Sequence, residues 1–194
     1  MKNLNCLLRV SFLLIAILFS CSDNIVLIND SKLKITLRNG IKIHNYNEIY
    51  FTGIVEDITN EGYLISRYEV SKGFINGYYD IFYSNGNLKE HINFTNGIIN
   101  DYRISFYKNG MYKEYTTYLN GFIHGSNNYF WPNGLEKATY CFENGIKKGT
   151  FKTFYSNGNL KSKGKYGANE TKTGLWKYYN QKGELIKIED FSSK

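Results

Sequence analysis

The chain has 194 residues, enough for one ordinary domain or one repeat array, and a hydrophobic content of 42% excludes a disordered polypeptide. The apolar mass is aromatic, with 18 Tyr and 13 Phe beside 18 Gly and one Pro, which favours short strands joined by glycine turns over helix. The formal charge is +7; without Lys2 and Arg9 the remainder holds 22 basic against 17 acidic residues, a bias that reads as spread along the chain and speaks against the clustered stripe of a nucleic-acid binder.

In chain order, Lys2 and Arg9 form a positive start, and Val10–Phe19 is a nearly unbroken apolar run. Ten residues span about 15 Å as helix, half the hydrocarbon thickness, so the run suits a secretory signal and is too short to cross a membrane. It ends in Leu18-Phe19-Ser20-Cys21, which resembles the lipobox of bacterial lipoprotein signals. That resemblance implies cleavage before Cys21, a lipid on its thiol, and a membrane-anchored place in the bacterial cell envelope. The alternative is an ordinary signal peptide with an incidental cysteine. Of the other cysteines Cys6 leaves with the signal and Cys141 has no partner, so no disulfide framework is expected. The organisation expected is a signal over 1–20, a tether with a degenerate capping hairpin over 21–52, and a repeat array over 53–194. The capping hairpin would pair Lys32–Leu37 with Ile41–Ile43 around Arg38-Asn39-Gly40.

The repeat is carried by glycines. Gly62, Gly73, Gly86, Gly97, Gly110, Gly121, Gly134, Gly145 and Gly158 fall at alternating intervals of 11 and 13, a period of 24. From Gly86 onward each follows an Asn, and Asn-Gly suits a type I′ hairpin turn, in which both central residues take positive φ. Gly53, Gly77, Gly125, Gly149 and Gly174 form a second column, with Asp101 standing in once and one residue inserted around Gly167–Thr173. Aromatic columns keep the same register: Phe82, Phe106, Phe130, Phe154, Tyr179, and Phe94, Tyr118, Phe142, Tyr166, Phe191.

Each period therefore reads as two strands, for example Tyr78–Tyr83 and Leu88–Phe94 about the turn Ser84–Asn87, with Thr95–Asn100 leading onward. The fold class expected is all-β, an elongated antiparallel meander of about six hairpin units, roughly 58 Å long at 4.8 Å per strand.

Gly174-Leu-Trp-Lys-Tyr-Tyr179, Phe154-Tyr-Ser-Asn-Gly-Asn-Leu-Lys161 and Phe142-Glu-Asn-Gly-Ile-Lys-Lys-Gly149 resemble the MORN-repeat variant, over roughly Gly53 to Phe191. The resemblance implies protein or lipid-surface binding, and in YwqK-type bacterial members an antitoxin role. The family's Trp column is present here only as Trp176; Phe151, Tyr79, Arg103 and Asn127 hold the equivalent places.

Two columns are candidate partner surfaces. Tyr83, Tyr107, Trp131 and Tyr155 form either an exposed aromatic ladder or an internal stack. Lys89, Lys113, Lys137 and Lys161 either meet an acidic partner or anionic lipid, or form a solvated face that discourages edge pairing. No spacing suits catalysis, a metal or a cofactor: His44, His91 and His124 lie in unrelated register positions, and no glycine run leads into a helix. The expected function is a membrane-tethered, non-enzymatic protein that binds a protein partner. An immunity or antitoxin protein and an envelope structural or polysaccharide-binding lipoprotein are the alternatives.

Overall fold

The computed structural model describes residues 24–192, so the signal segment and the lipid site at Cys21 lie outside the described residues. Strands of nine and eight residues joined by loops of five and two close the 24-residue period, as in β7 (Phe74–Phe82) and β8 (Leu88–Thr95). The array begins with β5 (Gly53–Ile58) and β6 (Leu64–Ser71) and continues through β9 (Ile98–Phe106), β10 (Tyr112–Leu119), β11 (Phe122–Phe130) and β12 (Glu136–Glu143). It ends with β13 (Ile146–Phe154), β14 (Leu160–Tyr166), β15 (Lys172–Tyr179) and β16 (Leu185–Asp190). From β5 to β16 each strand lies beside the next in an open antiparallel meander. The inserted residue is taken up in a single 3-10 turn, Ala168–Glu170. No described helix is long and apolar enough to cross a membrane.

Two kinds of turn alternate, which corrects the expectation of one kind. At Asn96-Gly97, Asn120-Gly121 and Asn144-Gly145 both residues have positive φ, as type I′ requires. At Asn85-Gly86 and its equivalents only the glycine does. There the Asn85 side chain accepts the Asn87 amide at 3.2 Å, and the Gly86 amide donates to the Tyr83 carbonyl at 2.9 Å. This is a type I turn closed by a left-handed glycine, within a five-residue loop. The same dipeptide thus serves two geometries, chosen by loop length. The segment Thr95–Asn100, expected to lead onward, holds the turn Asn96-Gly97 that joins β8 to β9.

The second glycine column marks a bulge four residues beyond each two-residue turn. Pairing runs from Tyr68↔Tyr79 to Val70↔Ile75, leaving Asn76, Gly77 and Tyr78 opposite one residue. Gly77, Gly125 and Gly149 sit there at φ +110°, +89° and +91°, and Asp101 is held at +80° in the same place. A left-handed Asp is strained, if less so than most residues. Asp101→Gly is therefore expected to raise stability by up to about 1 kcal/mol, read as a higher urea midpoint at unchanged slope.

One face of the sheet carries the core. A row of directly paired residues crosses it: Tyr68, Tyr79, Ile92, Arg103, Thr116, Asn127, Tyr140, Phe151, Gly164. The row is apolar at both ends and polar between them. At the N-terminal end the chain supplies its own cover. β1 (Ile25–Leu27) pairs parallel with β5, and β2 (Leu33–Arg38) and β3 (Ile41–Tyr46) form a hairpin on Asn39-Gly40, followed by β4 (Ile49–Tyr50). Val26, Leu33 and Phe51 close over Val55, Tyr68, Val70 and Ile75. His44, fully buried, hydrogen bonds the Gly73 carbonyl at 3.1 Å and the Tyr68 hydroxyl at 3.2 Å. Burial lowers its pKa, so it holds the cap as a neutral ring.

In the middle of the row Arg103 pairs with Glu90 at 3.0 Å. Glu114 accepts from Thr116 at 3.0 Å and from Asn127 at 3.2 Å. Thr116 and Asn127 are buried yet bonded to each other, so this polar bridge joins two apolar cores.

Candidate functional site

The two candidate columns fall along the edge of the sheet that carries the five-residue loops. Tyr83, Tyr107, Trp131 and Tyr155 each open such a loop and are half-buried. The Tyr83 hydroxyl donates to the Phe106 carbonyl at 2.8 Å, Tyr107 to Phe130 at 2.9 Å, and Tyr155 to Tyr179 at 2.9 Å. Each phenol thus ties its unit to the next. Trp131 breaks the series, its buried indole N–H having no hydrogen-bond partner among the described residues. The loops are bound in the same way: Asn85, Asn109, Asn133 and Asn157 donate to the carbonyls of Lys108, Pro132, Ser156 and Gln181. Phe106 and Phe130 flank Tyr112 at centroid distances of 5.4 and 6.0 Å, so the neighbouring aromatic column packs between units too.

Three lysines of the second column stand over these rings. Lys89 lies 6.0 Å from the Tyr83 centroid, Lys137 4.7 Å from Trp131 and Lys161 5.6 Å from Tyr155. Lys113 is exposed. The two columns therefore form one ridge, in which stems and cations cover rings whose polar ends face inward. Tyr107→Phe removes one inter-unit hydrogen bond and is expected to cost about 0.5–1.5 kcal/mol, whereas a ring serving only a partner would leave the melting temperature unmoved.

A second ridge lies on the opposite edge, where sequence reasoning placed nothing. Ile98, Phe122 and Ile146 follow the two-residue turns and are 41%, 60% and 49% exposed. They recur at the 24-residue period, and a search of the residue after each Asn-Gly would have found them. Their position is shaped by the turns: a Cβ on Gly121 would lie 3.3 Å from Ile98, and one on Gly145 3.9 Å from Phe122. They point away from the core face, since their neighbours Ile99 and Ile123 belong to it by pairing.

Charge is distributed otherwise than the composition suggested. Lys137–Lys177 holds nine basic residues against Glu143 and Glu170, a net +7 that exceeds the +5 of the chain without Lys2 and Arg9, so the rest is slightly acidic. Glu143 pairs with Lys148, and Glu170 accepts the Lys147 amide, so both acids are engaged along the two-residue-turn edge. Among the described residues no three His, Cys, Asp or Glu side chains gather closely enough to hold a metal. Cys141 is half-buried on a strand as a free thiol. No family model matches the chain, and no curated protein matches it in sequence.

Proposed function

We propose that the protein is a membrane-tethered, non-enzymatic module that binds a protein partner through its extended β-surface. The observation carrying this reading is the row of large apolar side chains Ile98, Phe122 and Ile146, each half exposed and about 10 Å from the next by strand spacing. Solvent-facing apolar residues aligned on a rigid frame are what a partner covers with gain. Turn-to-turn hydrogen bonds on both edges hold that frame in one register, which limits the ordering a partner must impose. The MORN-variant motifs agree with a binding role, and the lipobox-like Leu18–Cys21 supplies the tether.

The test uses the full-length protein in neutral detergent as bait for envelope extract, beside Phe122→Asp and Ile146→Asp. A protein retained by the native chain and lost with both variants, at unchanged circular dichroism, supports the reading; equal retention by all three removes it. The tether has its own test. Cys21→Ala is expected to abolish incorporation of a fatty-acid probe, and undiminished labelling would exclude lipid at that thiol.

A further inference from the structure

On the face opposite the core, the residue pairs running across the array set an acid beside a basic partner at its N-terminal end. Glu56 pairs with Arg67 at 3.2 Å and Asp80 with His91 at 2.6 Å. The same row then reaches Lys152, Lys163 and Lys177, which are direct partners on β13, β14 and β15. Lys165 lies two residues from Lys163 on the same face, opposite Thr150 and Thr173. None of these four lysines has an ion pair or a ring beneath it among the described residues. Like charges set directly opposite one another destabilise a sheet, so this row weakens the fold that carries it.

The lysines rim a shallow cleft of about 470 Å³, with Thr150, Thr173 and Leu175 in its wall and the bare backbone of Gly164 and Gly174 in its floor. Behind that floor Phe151 and Trp176 stack at 5.0 Å, which makes the platform rigid. The cleft follows the row across the strands, so its charges lie in line, about 4.8 Å apart.

We propose that this cleft is the docking site for an acidic protein segment, an extended stretch of clustered Asp and Glu side chains. The proposal rests on the protein-binding reading above and names the chemistry of the partner. Charge complementarity carries it: four unpaired ammonium groups rim a groove with hydroxyls in its wall and no acid of its own. The lining of the cleft itself, among the described residues, holds neither the arginine nor the stacking ring that would grip nucleic acid bases. β14 stands nine strands from β5, so a tether at the N-terminal end leaves the patch far beyond a Debye length of about 8 Å from the anchor point when the array stands upright.

The probe is a fluorescein-labelled deca-glutamate peptide, followed by anisotropy against the full-length protein in neutral detergent at two salt concentrations. The native chain is expected to bind it, more weakly at high salt. The triple variant Lys152→Gln, Lys163→Gln, Lys177→Gln should lose at least tenfold while melting no lower than native, because it removes repulsion. A control of equal charge loss, Lys32→Gln, Lys42→Gln, Lys72→Gln, should stay within about twofold of native. An equal loss in the control overturns the proposal, as does tighter patch-dependent binding to phosphatidylglycerol-doped micelles or to oligo-thymidine. If a partner captured through Phe122 binds the triple lysine variant undiminished, the acidic-segment proposal fails and the binding reading stands. If the peptide binds but no ridge-dependent partner exists, the reverse holds.

Discussion

Trp176→Ala is expected to cost about 3–5 kcal/mol, the range for emptying a buried aromatic site. Trp176 is 2% exposed; it stacks on Phe151, meets Tyr166 at 5.2 Å, and donates its indole N–H to the Lys165 carbonyl at 3.2 Å. Its ring lies flat on Gly164, where an added Cβ would fall 2.3 Å from the indole. Gly164→Ala should therefore be harmful by itself, about 1–3 kcal/mol from overpacking. The two changes are coupled, since a methyl at position 164 partly fills the space that the lost indole leaves. The double variant is expected to be more stable than the two single costs predict, and strict additivity in urea unfolding would refute this packing. Because stability in a stacked array is largely a nearest-neighbour property, the loss should appear first in the last two units, as early tryptic cleavage between Lys161 and Lys187.

The same row shows what the sequence discloses and what it withholds. Period, strand count and hairpin order follow from glycine spacing, because each glycine answers a local backbone demand. The substitutions in the Trp column look like decay of a motif when compared 24 residues apart. Across the sheet they are partners: Arg103 opposes Thr116, and Asn127 opposes both Thr116 and Tyr140. A polar residue in that column is tolerable because the neighbouring strands supply Glu90 and Glu114. The row Lys152, Lys163, Lys177 escapes periodic comparison for the same reason. Its intervals are 11 and 14, set by turn length and by a bulge, and only the strand register brings the three together. The Tyr column was visible as a column, but its hydroxyl bonds to the following unit depend on how tightly consecutive loops stack, which spacing alone does not give.

Deletion of one whole period, Asp101 to His124, is expected to leave a folded protein shorter by about 10 Å, two strands of 4.8 Å each. Joining Asn100 to Gly125 places a glycine at the left-handed bulge that Asp101 now occupies at φ +80°. The edge bonds then re-form with equivalent partners. Tyr83 meets the Phe130 carbonyl in place of Phe106, the Gly145 amide meets Ile99 in place of Ile123, and Asn85 meets Pro132 in place of Lys108. The local loss is the Glu90–Arg103 pair and the bonds of Glu114 and Thr116 to Asn127, which leaves Glu90 without its cation and Asn127 without its bridge partners. Deleting only Asp101–Met111 is expected to be far worse. It removes one strand, so the residues of β10 must run in the direction of β9, and the two-residue and five-residue loops fall on the wrong edges. Circular dichroism and limited proteolysis of the two deletions decide between them. Survival of the 11-residue deletion alongside collapse of the 24-residue one would show that the strands are not interchangeable units. Binding adds a further reading: the shortened array keeps the lysine cleft on β13–β15 intact but loses Phe122 from the apolar ridge, so it should still hold the deca-glutamate peptide while its grip on a ridge-bound partner weakens.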